Sequence, residues 1–257
     1  MLTPPEIARS LLAAGESKAR LPFGKMLLLA ILAGAYIALA GVGATAAAVT
    51  VESGSLAKLL SACVFPAGLS MVILAGAELF TGNCLMVMAL LERRITPAQL
   101  LRNWLTVYLG NAVGGAAVAA LAVYSHTASL FGDGLARSMV SIAESKAALG
   151  AGDAFLRGVL CNFLVCLAVW MAAASKRAEG KVIALFFPIL LFVLCGYEHC
   201  IANLYYLPAG AFAAAEYGME TTLTLAGCLK NLAAVTLGNL VGGAALGVGY
   251  RFAYLKE

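Results

Sequence analysis

Four long stretches of apolar residues without a charged side chain constrain the fold of this chain more than any other feature of its sequence. A helix that crosses a bilayer needs about 20 apolar residues, and these stretches match or approach that length. The sequence therefore predicts an all-α membrane protein. The stretches are Met26–Val51, Trp104–Tyr124, Gly158–Ser175 (extended back towards Asp153) and Asn231–Tyr250.

The composition agrees with a membrane environment. Of the 257 residues, 62% are hydrophobic and 12% are charged, which is about half the charged share of a soluble domain. This excludes a disordered chain and an ordinary soluble globule. The net charge of +4 is scattered, so we predict no nucleic-acid partner. The seven cysteines contain no CxxC pair, and we predict neither a metal site nor a cofactor.

Residues 1–25 precede the first spanning stretch and have a different character. Ile7, Leu11 and Leu12 stand among charged residues between Pro4 and Lys25. This pattern indicates a short amphipathic helix on the membrane surface.

Two further apolar stretches, Leu59–Leu91 and Val182–Ala215, are too long for one straight crossing. As single helices each would reach roughly 50 Å, against about 30 Å of hydrocarbon. Glu78 interrupts the first, and Glu198 with His199 interrupts the second. Glycines adjoin these charges, so we predict two broken helices with non-helical backbone inside the membrane, packed in protein or lining a wet cavity.

These stretches give six crossings, and the lysines and arginines orient them. With the N-terminus inside, the cytoplasmic side holds twelve of these cations and the outer side five, which predicts that both termini are cytoplasmic. The inner set is Arg9, Lys18, Arg20, Lys25, Arg93, Arg94, Arg102, Lys176, Arg177, Lys181, Arg251 and Lys256. The outer set is Lys58, Arg137, Lys146, Arg157 and Lys230.

The chain also repeats itself in two places. Residues 109–117 read LGNAVGGAA and residues 237–245 read LGNLVGGAA, while residues 76–83 and 196–203 both read G-x-E-x-x-x-x-N. Three crossings in each half invert the second half relative to the first. We predict one channel domain over residues 1–257, with inverted repeats over about 26–125 and 153–250 and the functional site where the broken helices meet.

The repeated nonapeptide contains GxxxG, whose small residues allow two helices to approach closely. The glycines are Gly110 and Gly114 in the first copy, and Gly238 and Gly242 in the second. We predict internal packing between the third and sixth crossings, with a subunit interface as the alternative.

Three ionisable residues lie inside predicted crossings and are functional candidates by default. Glu78 and Glu198 are repeat mates, which favours a structural role: a carboxylate can accept hydrogen bonds from backbone N–H groups freed by a helix break. A proton relay is the alternative. His199 has Leu79 as its mate and breaks the symmetry. Burial disfavours an imidazolium, and a neutral ring can donate a hydrogen bond to a permeating species or exchange a proton with it. Thr81 can face such a ligand or cap the following helix.

The apolar residues beside the two breaks are candidates for constrictions, which reject hydrated ions and pass small neutral molecules. Lys146 lies in the loop between the third and fourth crossings, where a lysine at a pore mouth would concentrate anions. The apolar candidates are Phe65, Leu69, Leu79, Phe80 and Phe192.

Several motifs together resemble the formate/nitrite transporter family over nearly the whole chain. They are AELFTGN at residues 77–83, Lys146, CNFLVCLAVW at residues 161–170 and GYEHCIANLYYLPAG at residues 196–210. The resemblance implies an aquaporin-like fold, a homopentamer with one pore per protomer, location in the inner (plasma) membrane, and transport of formate, nitrite or hydrosulfide rather than enzymatic activity. Cys200 stands where formate-type members commonly carry serine, which leaves a hydrosulfide-selective channel open.

The resemblance also implies roles for particular residues. His199 would be the central pore histidine, Thr81 the threonine of the first break, and Lys146 the anion-attracting lysine. Asn162 and Asn203 would be polar residues on the pore side. Leu69 and Phe192, with Phe65 nearby, would form the cytoplasmic-side constriction, and Leu79 and Phe80 the outer one.

The expected mechanism is passage as the neutral acid. The anion gathers near Lys146, desolvation favours protonation, and the proton arrives from water or through His199. Two other classes are weaker. Water and glycerol channels carry paired Asn-Pro-Ala motifs, which this sequence lacks. A serine hydrolase using Ser70 and His199 would need a glycine after the residue that follows the serine, and the sequence has none there.

Overall fold

The structure, a computed structural model, describes residues 1–255. Lys256, counted above among the cytoplasmic cations, lies outside this range. The described residues form an all-helical fold, as predicted, with ten helices that we number in chain order. They are α1 (Pro4–Ala19), α2 (Phe23–Ala48), α3 (Gly54–Ala75), α4 (Phe80–Leu91), α5 (Pro97–Tyr124), α6 (Gly134–Ala148), α7 (Ala151–Ala173), α8 (Ala178–Leu194), α9 (Cys200–Glu216) and α10 (Leu225–Tyr254).

Five of these helices, α2, α3, α5, α7 and α10, are long and apolar enough to cross a membrane. Their outer faces are apolar too: on α5, Leu101, Leu105 and Leu109 follow one another at one-turn spacing and are all exposed. Exposed leucines in such rows face lipid or another subunit rather than water. The chain is therefore a multi-pass membrane protein.

Helix α1 lies against the bundle through one face. Its N-terminus is closed by a capping box, in which the Thr3 backbone N–H donates to the Glu6 carboxylate at 2.7 Å. Ile7 and Ala8 are buried in a cluster with Trp170. The helix carries Lys18 near its end, and this lysine becomes important at the functional site.

Non-helical backbone separates α3 from α4 and α8 from α9. Gly76 ends α3 with φ of 80°, and Gly196 follows α8 with φ of 69°. Both angles lie in the left-handed region that glycine adopts without steric cost. The two glycines turn the chain out of the helix just before Glu78 and Glu198.

The repeated nonapeptide joins helices of the same half of the chain. Gly114 on α5 packs directly against the Ile31 carbonyl of α2, and Gly242 on α10 packs against the Val159 carbonyl of α7. The prediction of internal packing is correct, but the predicted partners are wrong: the motifs do not join the third crossing to the sixth. Glycine at these positions lets the backbones of α2 and α5, and of α7 and α10, approach each other closely.

Replacing Gly242 by alanine will therefore destabilise the protein. A Cβ atom there would overlap the Val159 carbonyl, and overpacking of this kind costs about 1–3 kcal/mol. Thermal unfolding in detergent measures the effect. Gly249→Ala is the matched control on α10, because a Cβ atom there meets nothing within 4 Å. Equal stability of the two variants would contradict this account of the motif.

Candidate functional site

The first non-helical segment is held by Asn111, from the repeated LGN triplet on α5. Its Oδ1 accepts a hydrogen bond from the Phe80 N–H at 3.0 Å, and its Nδ2 donates to the Glu78 carbonyl at 2.9 Å and to the Ala30 carbonyl at 2.7 Å. Asn111 is fully buried. One side chain thus satisfies backbone groups on both sides of the turn into α4.

The second segment is held in the same way by Asn239 on α10. Its Oδ1 accepts from the Cys200 N–H at 2.9 Å, and its Nδ2 donates to the Glu198 carbonyl at 2.9 Å and the Gly158 carbonyl at 2.8 Å. Neither asparagine was among the predicted site residues. The signal was present, because asparagine is the only residue with a polar side chain in the repeated nonapeptide.

Glu78 is part of a polar triad with Lys18 and Asn83, in which the carboxylate and the asparagine are buried and the lysine is half-buried. Lys18 Nζ lies 2.7 Å from Glu78 Oε1 and 2.9 Å from Asn83 Oδ1, and Asn83 Nδ2 donates to Glu78 Oε2 at 2.8 Å. Every polar group at the centre of this triad has a partner. Lys18 was predicted only as one of the cytoplasmic charges, because the sequence does not reveal where α1 docks.

Glu198 forms the equivalent triad with Lys146 and Asn203. Lys146 Nζ donates to both carboxylate oxygens, at 2.9 and 3.1 Å, and Asn203 Nδ2 donates to Oε2 at 2.7 Å. Unlike Asn83 Oδ1, the buried Asn203 Oδ1 has no hydrogen-bond partner among the described residues. The predicted clamp is wrong in its chemistry: lysine and asparagine side chains hold the carboxylates, while Asn111 and Asn239 hold the freed backbone.

His199 and Thr81 meet although 118 positions separate them in the chain. His199 Nε2 lies 2.9 Å from Thr81 Oγ1, and both residues are buried. His199 Nδ1 accepts the Ala202 N–H at 3.1 Å and so caps α9. Because Nδ1 uses its lone pair as an acceptor, the neutral ring carries its hydrogen on Nε2 and donates to Thr81. The Thr81 hydroxyl hydrogen is then free to point at a ligand.

Two cavities lie near this pair: His199 lines the first, and Leu79 and Gly82, on either side of Thr81 in the sequence, line the second. We call the first the Lys146 cavity; it has a volume of about 740 Å³ and is lined by Lys146, Glu198 and His199, among others. We call the second the Lys18 cavity; it has a volume of about 350 Å³ and includes Lys18 and Glu78 in its lining. Each cavity therefore contains one lysine and one carboxylate of a polar triad.

The apolar residues beside the breaks are divided between the two cavities. Phe65 and Phe192 line the Lys146 cavity, with ring centroids 5.6 Å apart, and Phe192 stacks on His199. Leu69 and Leu79 line the Lys18 cavity. Leu69 and Phe192 line different cavities but belong to the same buried apolar cluster, so their pairing in one constriction stays a prediction.

Phe80 is predicted to share the outer constriction with Leu79, and this stays a prediction. Its ring packs edge to face on Trp104 and Tyr108. Leu79 and Phe80 are adjacent in sequence at the start of α4, where extended backbone gives way to helix, and their side chains therefore diverge. Phe80 packs on α5 and supports the start of α4.

The two predicted polar asparagines each donate two hydrogen bonds through Nδ2. Asn162 Nδ2 donates to the Asn239 carbonyl at 2.7 Å and the Thr81 carbonyl at 3.3 Å. Asn203 Nδ2 donates to Glu198 and to Asn231. Asn162 thus fixes Thr81 relative to α10. Within residues 1–255, no three His, Cys, Asp or Glu side chains are grouped as a metal site requires.

Ser70 does not join His199. Its hydroxyl donates to the Pro66 carbonyl at 3.0 Å in its own helix, and the two His199 nitrogens are engaged by Thr81 and Ala202. The arrangement lacks the hydrogen bond from nucleophile to base that a hydrolase needs.

A sequence profile described as formate/nitrite transporter matches residues 5–253 of the chain. This chain belongs to the formate/nitrite transporter family. Within the family it is 38% identical over 275 residues to a probable formate transporter of Methanothermobacter thermautotrophicus, covering 99% of this chain and 98% of that protein. It is 39% identical over 239 residues to the formate channel FocA of Haemophilus influenzae, covering 86% and 84%.

Solved structures of the family have the same fold. One described as an FNT family ion channel matches with a TM-score of 0.86 at 32% identity, covering 96% of this chain and 98% of that one. Another, described as a pentameric formate channel with formate bound, matches with a TM-score of 0.80 at 33% identity, covering 91% and 98%. These relatives are transporters and channels, not enzymes, and the predicted family is confirmed.

Proposed function

We propose that this member of the family is a channel for small monovalent anions of weak acids, and that formate is the favoured candidate among its substrates. The observation that carries the proposal is the buried His199–Thr81 pair, with a lysine-containing cavity near each of its two residues. Such an arrangement offers an anion a positive potential at each mouth and a hydrogen-bond donor between apolar residues. The names of relatives that transport formate support the choice of substrate.

The proposed architecture is six crossings in two inverted halves of one domain, over about 26–125 and 153–250. In this proposal α3 with α4, and α8 with α9, each form one broken crossing. The matched hydrogen bonds of Asn111 and Asn239 support the repeat. We further propose a homopentamer in the plasma membrane, surrounded by lipid, as the name of a pentameric relative suggests. The face that carries α1 is cytoplasmic in this arrangement, because most lysines and arginines flank it.

The proposed mechanism begins with attraction of the anion by Lys146 or Lys18. Between the apolar pairs, Phe65 with Phe192 and Leu69 with Leu79, water is scarce and the charged form of the substrate is penalised. The Thr81 hydroxyl donates to the anion while His199 Nε2–H donates to Thr81. A hydronium proton from the bulk solvent then joins a carboxylate oxygen and leaves a water molecule behind, and neutral formic acid passes the constriction.

We propose water as the proton source because His199 Nδ1 accepts the Ala202 N–H. An imidazolium would need a hydrogen on that nitrogen and would lose the helix cap. His199 in this proposal is a neutral donor that orients Thr81. Glu78 and Glu198 are structural partners of the lysines, with a proton relay as the alternative role.

His199→Asn tests the role of the ring. An asparagine oxygen can still cap α9, but the hydrogen bond to Thr81 is lost. A hydrogen bond contributes about 1.4 kcal/mol at the upper end of the usual range, which corresponds to a tenfold change in rate. We expect formate uptake into proteoliposomes to fall about tenfold and its acceleration by acid to remain. Uptake equal to the parent protein would refute the donor role, and loss of the acid acceleration would show that the proton passes through the ring.

His126→Asn is the matched control for this variant. His126 is the other histidine of the chain, is exposed, and has φ of 58°, a conformation that asparagine tolerates. We expect its uptake to match the parent protein.

Uptake of formate, nitrite and hydrosulfide into proteoliposomes tests the function itself. We expect formate to cross, with protein-free liposomes as the control. Cys200, beside His199, favours hydrosulfide as the second candidate. Selective passage of hydrosulfide would replace our first choice by that alternative, and passage of none of the three would refute the proposed function.

A further inference from the structure

The Lys146 cavity is much larger than a small monovalent anion and contains an excess of positive charge. Its volume of about 740 Å³ lies within the range of pockets that hold drug-sized ligands, whereas formate has three heavy atoms. Four cations line the cavity, and Glu198 is the single carboxylate among the described lining residues, which leaves a net charge of +3. The cations are Lys58, Arg137, Lys146 and Arg157.

These cations come from three helices, so the fold rather than the local sequence brings them together. Lys58 lies on α3, Arg137 and Lys146 on α6, and Arg157 on α7. Lys146 is paired with Glu198. Within residues 1–255, none of the other three has a carboxylate oxygen within 4.0 Å.

Hydroxyl groups accompany the cations in the same lining. Four serines line the cavity, one on α3 and three on α6; Ser145 donates to the Ser141 carbonyl, within α6. Cationic side chains and hydroxyl donors are the groups that proteins use for oxyanions such as phosphate and sulfate. The four serines are Ser61, Ser138, Ser141 and Ser145.

We propose that the Lys146 cavity binds a multivalent oxyanion, of the sulfate or phosphate class, which occupies the mouth and inhibits transport of smaller anions. Enrichment in a potential is exponential in charge, so a field that concentrates a monovalent anion tenfold concentrates a divalent anion about a hundredfold. One proton does not neutralise such an anion. It therefore stays charged and is stopped by the apolar pair of Phe65 and Phe192.

Thermal unfolding in detergent tests binding without any transport step. The parent protein is compared in sodium sulfate, sodium phosphate and sodium chloride at equal ionic strength. The test variant is Lys58→Gln with Arg157→Gln. The control variant, Lys25→Gln with Arg177→Gln, loses the same charge at exposed positions near α1.

We expect sulfate and phosphate to raise the unfolding temperature of the parent and control proteins more than that of the test variant. The concentrations of sulfate and phosphate that give half the shift should be about tenfold lower in the parent and control proteins. The test variant has two cations fewer in the cavity, so its weaker potential enriches a divalent anion less. Sulfate also stabilises proteins by exclusion from their surfaces, but this effect is common to all three. Equal shifts in all three proteins would therefore overturn the proposal.

Inhibition of formate uptake is the second test of the proposal. This test rests on the proposed function, whereas the unfolding test does not. We expect sulfate to inhibit the parent protein more strongly than chloride at equal ionic strength, and the test variant to lose this difference. Equal inhibition by the two salts would mean that they only screen the cations, and would overturn the inhibitory role. Absence of formate uptake with intact sulfate-dependent stabilisation would refute the proposed function and leave the binding site standing.

Discussion

Replacing Asn239 by alanine is expected to abolish the folded channel or reduce its stability by several kcal/mol. The substitution removes the partners of the Glu198 carbonyl, between α8 and α9, and of the Cys200 N–H, at the start of α9; both residues are buried. A buried polar group left without a partner costs about 1–3 kcal/mol. Lipid offers no water to replace the lost bonds. Yield of monodisperse protein and its unfolding temperature measure the loss.

Asn239→Asp is the charged companion of this variant. An aspartate keeps an oxygen for the Cys200 N–H, but its second oxygen faces the Gly158 and Glu198 carbonyls. A buried charge without a cationic partner is costly, so we expect a loss at least as large as that of Asn239→Ala. Asn111→Ala should reproduce the effect of Asn239→Ala, because Asn111 makes the same three kinds of bond. Parent-like stability of both alanine variants would show that the two asparagines do not hold the non-helical segments.

Replacing Lys146 by alanine is expected to destabilise the protein and slow uptake of dilute formate. Lys146 Nζ donates to both oxygens of Glu198, whose side chain is 6% exposed. Removing one partner of a buried pair leaves an uncompensated charge and costs about 3–5 kcal/mol. The cavity also gains a net negative charge relative to the parent, and we expect uptake at low formate concentration to fall about tenfold.

The double variant Lys146→Ala with Glu198→Gln separates the two effects of that substitution. It removes the stranded carboxylate charge and restores the net charge of the cavity, so stability and uptake should both recover in part. Unchanged uptake of dilute formate in Lys146→Ala would remove the attraction of anions from the mechanism. Unchanged stability would show that water reaches Glu198 freely.

The sequence predicts the general fold well because membrane insertion leaves a strong pattern. Apolar length identifies the spanning helices, and the repeated motifs point to the same places in both halves. Glu78, Glu198 and His199 stand out because an ionisable side chain in an apolar stretch requires compensation. The structure places each of these three residues at the non-helical segments.

The sequence does not predict contacts that depend on how helices dock. Lys18 reaches Glu78 only because α1 folds back against the bundle. The two residues are 60 positions apart, and helical periodicity predicts no contact at that separation. The distribution of apolar residues between the two cavities depends on docking in the same way. Phe65 and Leu69 lie one turn apart on α3 and line different cavities, which depends on the tilt and rotation of that helix rather than on its composition.

Simultaneous measurement of formate flux and electrical current tests the central claim most directly. If formate crosses as the neutral acid, uptake at fixed total formate rises about tenfold for each unit of pH lowered, as long as the pH stays above the pKa of formic acid. That uptake carries no net current across a voltage-clamped bilayer. A current of one elementary charge per formate, with a flux that does not depend on pH, would contradict the account.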